Sequence, residues 1–202
     1  MLNYIQPYAF GYLNDEIILL LHALGISSEA LVAKQKEYLE FLARVEALDA
    51  QTSFQYLSYC DQVELAERVL IEGVEPVGPQ IRKLIRAEYD KLLNKRNEQR
   101  CRIMIPQSRL LFGVCDPRGI LKEGECAVRI TLHTNGQSCA LRGTEIIVTR
   151  NPCLHPGDIR KLKVVDCPDL AHLTDCIIFP TRGGRATADL MSGGDLDGDK
   201  FK

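Results

Sequence analysis

Three aspartates stand at alternate positions near the end of the sequence, at Asp195, Asp197 and Asp199. In extended backbone, side chains two residues apart point to the same face, so the three carboxylates would lie close together. Two like charges 4 Å apart repel by about 1 kcal/mol in water and by about 4 kcal/mol at an effective dielectric of 20. A fold that gathers them therefore needs a bound cation or a proton on one carboxylate. Mg²⁺, a hard cation that prefers oxygen ligands, is the cofactor that this pattern favours.

Glycines surround the aspartates, and their positions help to judge two alternatives to a magnesium site. Gly198 lets the chain turn, and Gly193 and Gly194 let backbone approach a ligand closely. A surface Asp-Gly hairpin turn is an alternative that the sequence leaves open. A calcium loop of the EF-hand type is excluded, because its glycine would fall at the position of Lys200.

The composition is that of a globular protein, and its charge is unevenly distributed. The 202 residues carry a formal net charge of −2. The first hundred residues hold 11 Lys and Arg against 15 Asp and Glu, whereas residues 101–202 hold 14 against 12. A mildly basic surface around an acidic centre suits a polyanion that is held through metal ions.

Cysteine usage and apolar runs indicate an intracellular protein that has no membrane segment. The eight cysteines form no Cys-x-x-Cys pair and no spacing typical of a zinc site. Four disulfides would fit the even count, but the sequence has no pattern of a secretory signal, so we expect free thiols. The longest apolar run, residues 17–21, is too short to cross a bilayer. Localisation in the nucleus or the cytoplasm is expected, without a signal that chooses between them.

Residues 1–100 have helical patterns. Asn14 and Asp15 can cap a first helix that stops at Gly25, and Ser27 or Ser28 can start a second. Asp61 to Glu64 has capping-box spacing for a short helix that reaches Leu70. An apolar stripe from Ile81 to Leu93 predicts a last helix, which ends in the charged run 95–100.

Residues 101–202 change to short β-rich pieces separated by turn residues. The pieces are residues 102–105, 110–114, 126–130, 145–149, 162–165 and 176–179. No helical pattern of 10–15 residues separates them, which argues against a doubly wound sheet and for a compact barrel or sandwich. The fold class is therefore α+β, with a helical region over 1–100 and a β domain over 101–202.

Several blocks of the sequence resemble one family. Ser-Gly-Gly-Asp-Leu-Asp-Gly-Asp at 192–199 resembles the Asp-x-Asp-Gly-Asp catalytic loop of the cellular RNA-dependent RNA polymerases, the enzymes of RNA silencing in fungi, plants and nematodes. Asn-Pro-Cys-Leu-His-Pro-Gly-Asp at 151–158 is similar to a second signature of that family. The blocks at 105–116 and 175–180 follow in the family's order. The resemblance is strong over 102–202 and weaker over 10–100.

The resemblance implies a fold, a reaction and a set of partners. The β domain would be an incomplete double-psi β-barrel, truncated at its C-terminus, that follows an N-terminal helical region. Asp195, Asp197 and Asp199 would bind Mg²⁺ for a two-metal nucleotidyl transfer that makes double-stranded RNA for gene silencing. The partners would be RNA template and product, nucleoside triphosphates and other silencing proteins.

Further residues become candidates for nucleotide or RNA contacts. Arg150 or Asn151 would meet a ribose hydroxyl or a phosphate, with His155 nearby. Arg182 and Arg185 would contact RNA phosphates, and Lys200 would contact the nucleotide or RNA. The alternatives are structural turns at Asn-Pro and His-Pro-Gly-Asp, and a solvated loop around the two later arginines.

Three functions from different classes compete at this point. The intact aspartates favour an RNA polymerase, of which this chain would be an incomplete piece that is inactive alone. A catalytically inactive RNA-binding or scaffold remnant of the silencing pathway is the alternative. A magnesium-dependent phosphohydrolase is the third, and it would release phosphate without a template.

Overall fold

The computed structural model describes residues 11–60, 62–93, 102–105, 107–132 and 137–202. The chain divides into two compact units, and the division lies between Ser108 and Arg109. The described part of the first unit is mainly helical, and the second, Arg109–Lys202, is built on a sheet. The coarse prediction of a mixed α+β protein, helices first and strands second, is confirmed.

Within the residues that the structure describes, the helical unit has a short strand before its helices and another after them. Its elements are β1 (Gly11–Leu13), α1 (Asp15–Ala23), α2 (Ser28–Glu46), α3 (Ala50–Tyr59), α4 (Val63–Glu72), α5 (Gly78–Leu93) and β2 (Ile103–Ile105). The strands β1 and β2 pair in antiparallel fashion. Asn14 and Ser27 cap α1 and α2 as the sequence predicts, by accepting from the N–H groups of Ile17 and Ala30.

Two helical features differ from the sequence expectations. α3 was not predicted, because its buried face includes the polar residues Thr52 and Ser53. Asp49 caps it by accepting from the N–H of Thr52. α4 continues to Glu72, beyond the expected end at Leu70, and its N-cap residue is Gln62, which makes no side-chain capping bond. The proposed cap Asp61 and the charged run 95–100 lie outside the described residues.

The core of the helical unit is apolar and comes from α2 to α5 and the turns between them. Its fully or nearly buried members are Tyr38, Leu42, Val45, Leu48, Tyr56, Leu57, Ala66, Val69, Val77, Ile81, Ile85 and Leu92. Among the residues that the structure describes, no helix combines the length and the apolar character that a bilayer crossing requires.

The second unit contains a mixed seven-stranded sheet. Its strands are β3 (Leu111–Cys115), β4 (Glu125–Thr131), β5 (Ser138–Ala140), β6 (Glu145–Val148), β7 (Arg160–Val164), β8 (Cys176–Phe179) and β9 (Lys200–Phe201). Six of them follow the order β6-β7-β4-β8-β3-β9, and β5 pairs with β4. The pairs β3–β8 and β4–β7 are parallel, and the others are antiparallel.

The two ends of this strand order meet. Just after β6, the N–H of Thr149 donates to the carbonyl of Lys202 at 2.9 Å, and the N–H of Lys202 donates back at 3.0 Å. Arg150 and Phe201 form an antiparallel bridge beside them. The sheet therefore curls until the chain after its first strand pairs with its last strand. This junction, residues 149–150 against 201–202, is called the seam below.

The core inside the curled sheet requires a close approach at Gly113. Leu111, Val128, Phe179 and Phe201 are among its buried members. A Cβ on Gly113 would lie 2.3 Å from the Phe201 ring and 2.7 Å from the Leu196 side chain. Glycine at this position therefore lets β9 and the residues before it pack against β3. The seven cysteines within the described residues are all free thiols, as expected.

Candidate metal centre

The three aspartates lie on the acidic loop (residues 192–199), which leads directly into β9. One carboxylate oxygen from each of Asp195, Asp197 and Asp199 lies within 4.8 Å of the other two. The loop achieves this with a turn and not with the extended backbone that the alternate spacing suggests. Leu196 has φ +64° and Gly198 has φ +128°, so the chain reverses between the aspartates.

A glycine before the aspartates is required by packing. A Cβ on Gly194 would lie 2.9 Å from the carbonyl oxygen of Ala188 and 3.0 Å from Oδ2 of Asp199. The backbone at this position therefore fits tightly between an earlier turn and the last aspartate. The double glycine was expected to allow a close approach to a ligand, and at Gly194 the close approach is to the protein itself.

Asp199 is the buried member of the three, at 7% exposure. Its Oδ1 accepts from Nε of Arg150 at 2.6 Å, and its Oδ2 accepts from the N–H groups of Asp195 at 3.0 Å and Leu196 at 3.4 Å. Burial raises the pKa of Asp199, but the Arg150 bond and these N–H donors outweigh it and leave the pKa below its ordinary value. Asp199 is therefore an ionised anchor for the loop.

Asp195 and Asp197 are exposed. A hydrogen bond with the Asp195 carboxyl and repulsion from its charge raise the pKa of Asp197 above its ordinary value. An exposed carboxyl whose ionisation a neighbouring carboxylate opposes, beside a third that is held ionised, belongs to a donor set whose repulsion a hard divalent cation relieves. The residues present therefore fit a divalent metal ion.

The proline segment (residues 150–158) holds the start of the acidic loop. Arg150 donates from a second guanidinium nitrogen to the carbonyl oxygen of Ser192 at 3.1 Å. The Ser192 hydroxyl donates to the carbonyl oxygen of Pro152, and the Ser192 N–H donates to Oδ1 of Asp158 at 3.1 Å. The motifs at 151–158 and 192–199 assign no role to Ser192 or Asp158, because neither contact follows from sequence spacing.

The other candidates within the proline segment are exposed. Asn151 precedes Pro152 through a cis peptide bond. The His155 ring accepts from the N–H of Gly157 at Nδ1, at 2.9 Å, and so caps the 3₁₀ turn Pro156–Asp158. The structural-turn interpretation of His155 is thus seen directly. Its contact with a nucleotide stays a prediction.

The remaining basic candidates lie near the acidic loop but make other contacts. Lys200 places its ammonium 5.4 Å from the centre of the Phe112 ring. Arg185 pairs with Asp189, and Arg182 lies beside Gly119. Arg182 and Arg185 also line a cleft of about 210 Å³ that reaches Leu196 of the acidic loop. The cleft thus places two exposed arginines beside the loop.

A comparison with known families decides which family this loop and sheet belong to. The family model for RNA dependent RNA polymerase matches residues 1–202. The chain belongs to the RNA-dependent RNA polymerase family. The resemblance of the acidic loop and the proline segment to that family is thereby confirmed.

Curated relatives come from plants and fission yeast. The chain is 38% identical over 209 residues to RNA-dependent RNA polymerase 2 of Arabidopsis thaliana, with 94% of this chain and 18% of the relative covered. It is 35% identical over 208 residues to the probable RNA-dependent RNA polymerase SHL2 of Oryza sativa, covering 95% and 17%. RNA-dependent RNA polymerase 1 of Schizosaccharomyces pombe is 28% identical over 229 residues, covering 98% and 18%. The chain thus spans about a sixth of the length of these relatives.

A solved structure shares the fold. The RNA dependent RNA polymerase QDE-1 from Thielavia terrestris matches with a TM-score of 0.69 at 22% identity, covering 98% of this chain and 24% of that chain. The succession of helices and a curled sheet therefore occurs in a larger polymerase.

Proposed function

We propose that this chain carries the catalytic metal centre of an RNA-directed RNA polymerase, a nucleotidyltransferase that makes double-stranded RNA for RNA-mediated gene silencing. The observation that carries the proposal is the meeting of the Asp195, Asp197 and Asp199 carboxylates within 4.8 Å on a loop of this family. The corresponding partners are an RNA template, the RNA product, nucleoside triphosphates and other proteins of the silencing pathway.

Asp195, Asp197 and Asp199 would hold Mg²⁺. Bound there, Mg²⁺ would lower the pKa of the 3′-hydroxyl of the growing strand and neutralise charge on the departing pyrophosphate. Asp195 and Asp197 offer exposed oxygens, whereas Asp199 is already bonded to Arg150 and to two backbone N–H groups. We infer that Asp199 fixes the loop and gives the metal fewer oxygens than its neighbours do.

The exposed basic residues would bind the polyanionic partners. Arg182 and Arg185 line the cleft beside the acidic loop, where phosphates of RNA or of a nucleotide would meet positive charge. Lys200 follows the last aspartate directly and is exposed. Asn151 and His155 are exposed on the proline segment, and Arg150 lies against Asp199, so these three are the proposed contacts for the incoming nucleotide.

The sheet unit would form one double-psi β-barrel of the polymerase core. The mixed strand order, the two parallel pairs and the seam support this proposal. The seam also positions the acidic loop, which directly precedes β9. Pairing of residues 201–202 with 149–150 brings this loop against the proline segment.

Template-directed RNA synthesis by the full gene product tests the proposed function. We expect incorporation of labelled nucleotides that requires template, all four nucleoside triphosphates and Mg²⁺. Asp197→Ala should reduce synthesis to background. The control is Asp169→Ala, which removes an exposed carboxylate from the 3₁₀ turn Pro168–Leu170 of the same unit and should leave synthesis unchanged.

The competing functions give different outcomes in the same assay. An inactive scaffold would bind RNA equally well with or without Asp197→Ala and would synthesise none. A phosphohydrolase would release phosphate from nucleotides without template and extend no strand. Either result contradicts the polymerase proposal.

A further inference from the structure

We propose that Ser192 and Asp158 are positioning residues, which fasten the start of the acidic loop to the proline segment so that Asp195 and Asp197 are set in place before a metal ion binds. The inference rests on the proposed function, because it assigns the contacts that prepare the proposed metal centre. Neither residue is proposed to touch the metal, the nucleotide or RNA.

Three polar groups of Ser192 form hydrogen bonds with residues about forty positions earlier in the chain. Its N–H donates to Asp158, its hydroxyl donates to the Pro152 carbonyl, and its own carbonyl accepts from Arg150. All three partners belong to the proline segment. A residue whose backbone and side chain are both bonded to one neighbouring segment is held in position and in orientation.

The backbone of Ser192 shows that this attachment has a conformational cost. Its φ of +54° lies in the left-handed region, which glycine adopts freely and serine adopts rarely. Glycine would remove that cost but also the hydroxyl that donates to Pro152. Substitutions at Ser192 can therefore distinguish the effect of its backbone conformation from the effect of its hydroxyl bond.

Asp158 joins the turn of the proline segment to the acidic loop. Its Oδ2 accepts from the N–H groups of Leu154 at 3.2 Å and His155 at 3.0 Å, while its Oδ1 accepts from Ser192 at 3.1 Å. One carboxylate thus bonds three backbone donors from two distant stretches. Charge-assisted hydrogen bonds of this kind are stronger than those between neutral groups.

The same segment also holds the other end of the loop. Arg150 bonds Asp199, the last residue of the loop, and Asp158 bonds Ser192, the first, so the acidic loop is fastened at both ends. The exposed Asp195 and Asp197 lie between these two attachments. Release of either end would let their carboxylates spread apart, which repulsion between carboxylates that lie within 4.8 Å of each other favours.

Mn²⁺ binding to the chain tests the inference without any activity measurement. Free Mn²⁺ is followed by electron paramagnetic resonance during titration of the wild-type chain and of Asp158→Asn, which keeps the size of the side chain but only one acceptor oxygen. Loss of groups that orient metal ligands typically weakens metal affinity by about 10–100-fold. We expect a weakening in that range.

Asp116→Asn is the matched control. Asp116 also accepts three backbone N–H bonds, from Arg118, Ile120 and Leu121, in the same unit. It follows the end of β3 that is far from the pairing with β9. If the effect of Asp158 were only on general stability, Asp116→Asn would weaken Mn²⁺ binding as much. We expect it to lower the melting temperature and to leave Mn²⁺ affinity within about twofold.

Substitutions at Ser192 test the attachment even if Asp158→Asn fails to fold. Ser192→Ala and Ser192→Gly both remove the hydroxyl, and only Gly relieves the backbone. We expect both to weaken Mn²⁺ binding, with Gly no better than Ala. Wild-type affinity in Ser192→Gly and in Asp158→Asn would overturn the positioning role and leave the metal centre intact. Absence of Mn²⁺ binding by the wild-type chain would instead overturn the proposed metal centre and the inference with it.

Discussion

Nε of Arg150 lies 2.6 Å from Oδ1 of Asp199, at the seam where residue 150 bridges Phe201. The ion pair therefore joins the two ends of the curled sheet and fixes the most buried carboxylate of the metal centre. In this unit, closure of the sheet and assembly of the proposed active site depend on the same contacts.

Arg150→Ala should destabilise the sheet unit. It leaves the buried Asp199 carboxylate without its charged donor, and loss of a hydrogen bond to a charged group typically costs about 1.5–3 kcal/mol. Urea unfolding measures this loss. Arg142→Ala removes a far more exposed pair, with Asp166, and should change the free energy of unfolding by less than about 1 kcal/mol. Equal effects from the two substitutions would contradict the role given to the seam.

Asp197→Asn should raise the melting temperature when metal is removed with a chelator. In the metal-free chain, a hydrogen bond with the Asp195 carboxyl and repulsion from its charge raise the pKa of Asp197. The substitution relieves that repulsion. With Mn²⁺ added, the wild-type chain should gain stability through ligand binding and the variant should gain much less. Thermal unfolding with and without Mn²⁺ gives both comparisons. A lower melting temperature for the variant in chelator would show that the carboxylates do not repel each other.

Gly113→Ala should disturb the attachment of the acidic loop from the side of β3. The added Cβ would lie 2.3 Å from the Phe201 ring and 2.7 Å from the Leu196 side chain, so β9 or the loop must shift. Overpacking of this kind typically costs about 1–3 kcal/mol in the free energy of unfolding. The control is Gly184→Ala, where a Cβ meets no atom within 4 Å. A stability equal to that of the control would disprove the close packing.

The lowered pKa of Asp116 predicts that the free energy of unfolding depends on pH. Burial raises its pKa, but the N–H donors of Leu121, Arg118 and Ile120 outweigh this and hold the pKa below the ordinary value. A carboxyl whose pKa is lowered by folding contributes stability above its unfolded pKa of about 3.9, and that contribution disappears as pH falls through the folded pKa. The difference in unfolding free energy between wild type and Asp116→Asn should therefore be constant from about pH 5 to 7. This difference should shrink below about pH 4. A difference that grows there would contradict a pKa of Asp116 that folding lowers.

Local patterns predicted most of the regular structure. The six expected strands correspond to β2, β3, β4, β6, β7 and β8, because alternation and flanking turn residues are visible in sequence. The three others, β1, β5 and β9, have only two or three residues each. Pieces so short show little periodicity, although β2, which also has three residues, was predicted. β9 is a strand because residues 111–112 and the seam pair with it.

The candidate site was predictable by residue type and less so by geometry. Alternate aspartates indicated a carboxylate cluster, but Leu196 at φ +64° produces the turn that forms it, and leucine rarely adopts that conformation. The bond from Arg150 to Asp199 spans 49 positions, and that from Ser192 to Asp158 spans 34. Contacts at such separations come from the strand order, which no local pattern specifies.

Anomalous diffraction from crystals of the chain grown with Mn²⁺ tests the central claim most directly. We predict a peak bounded by carboxylate oxygens of Asp195, Asp197 and Asp199, at metal–oxygen distances of about 2 Å, which Asp197→Asn weakens or removes. Well-ordered density for the acidic loop without a peak there, at Mn²⁺ concentrations that saturate binding in solution, would contradict the claim that these aspartates form a metal centre.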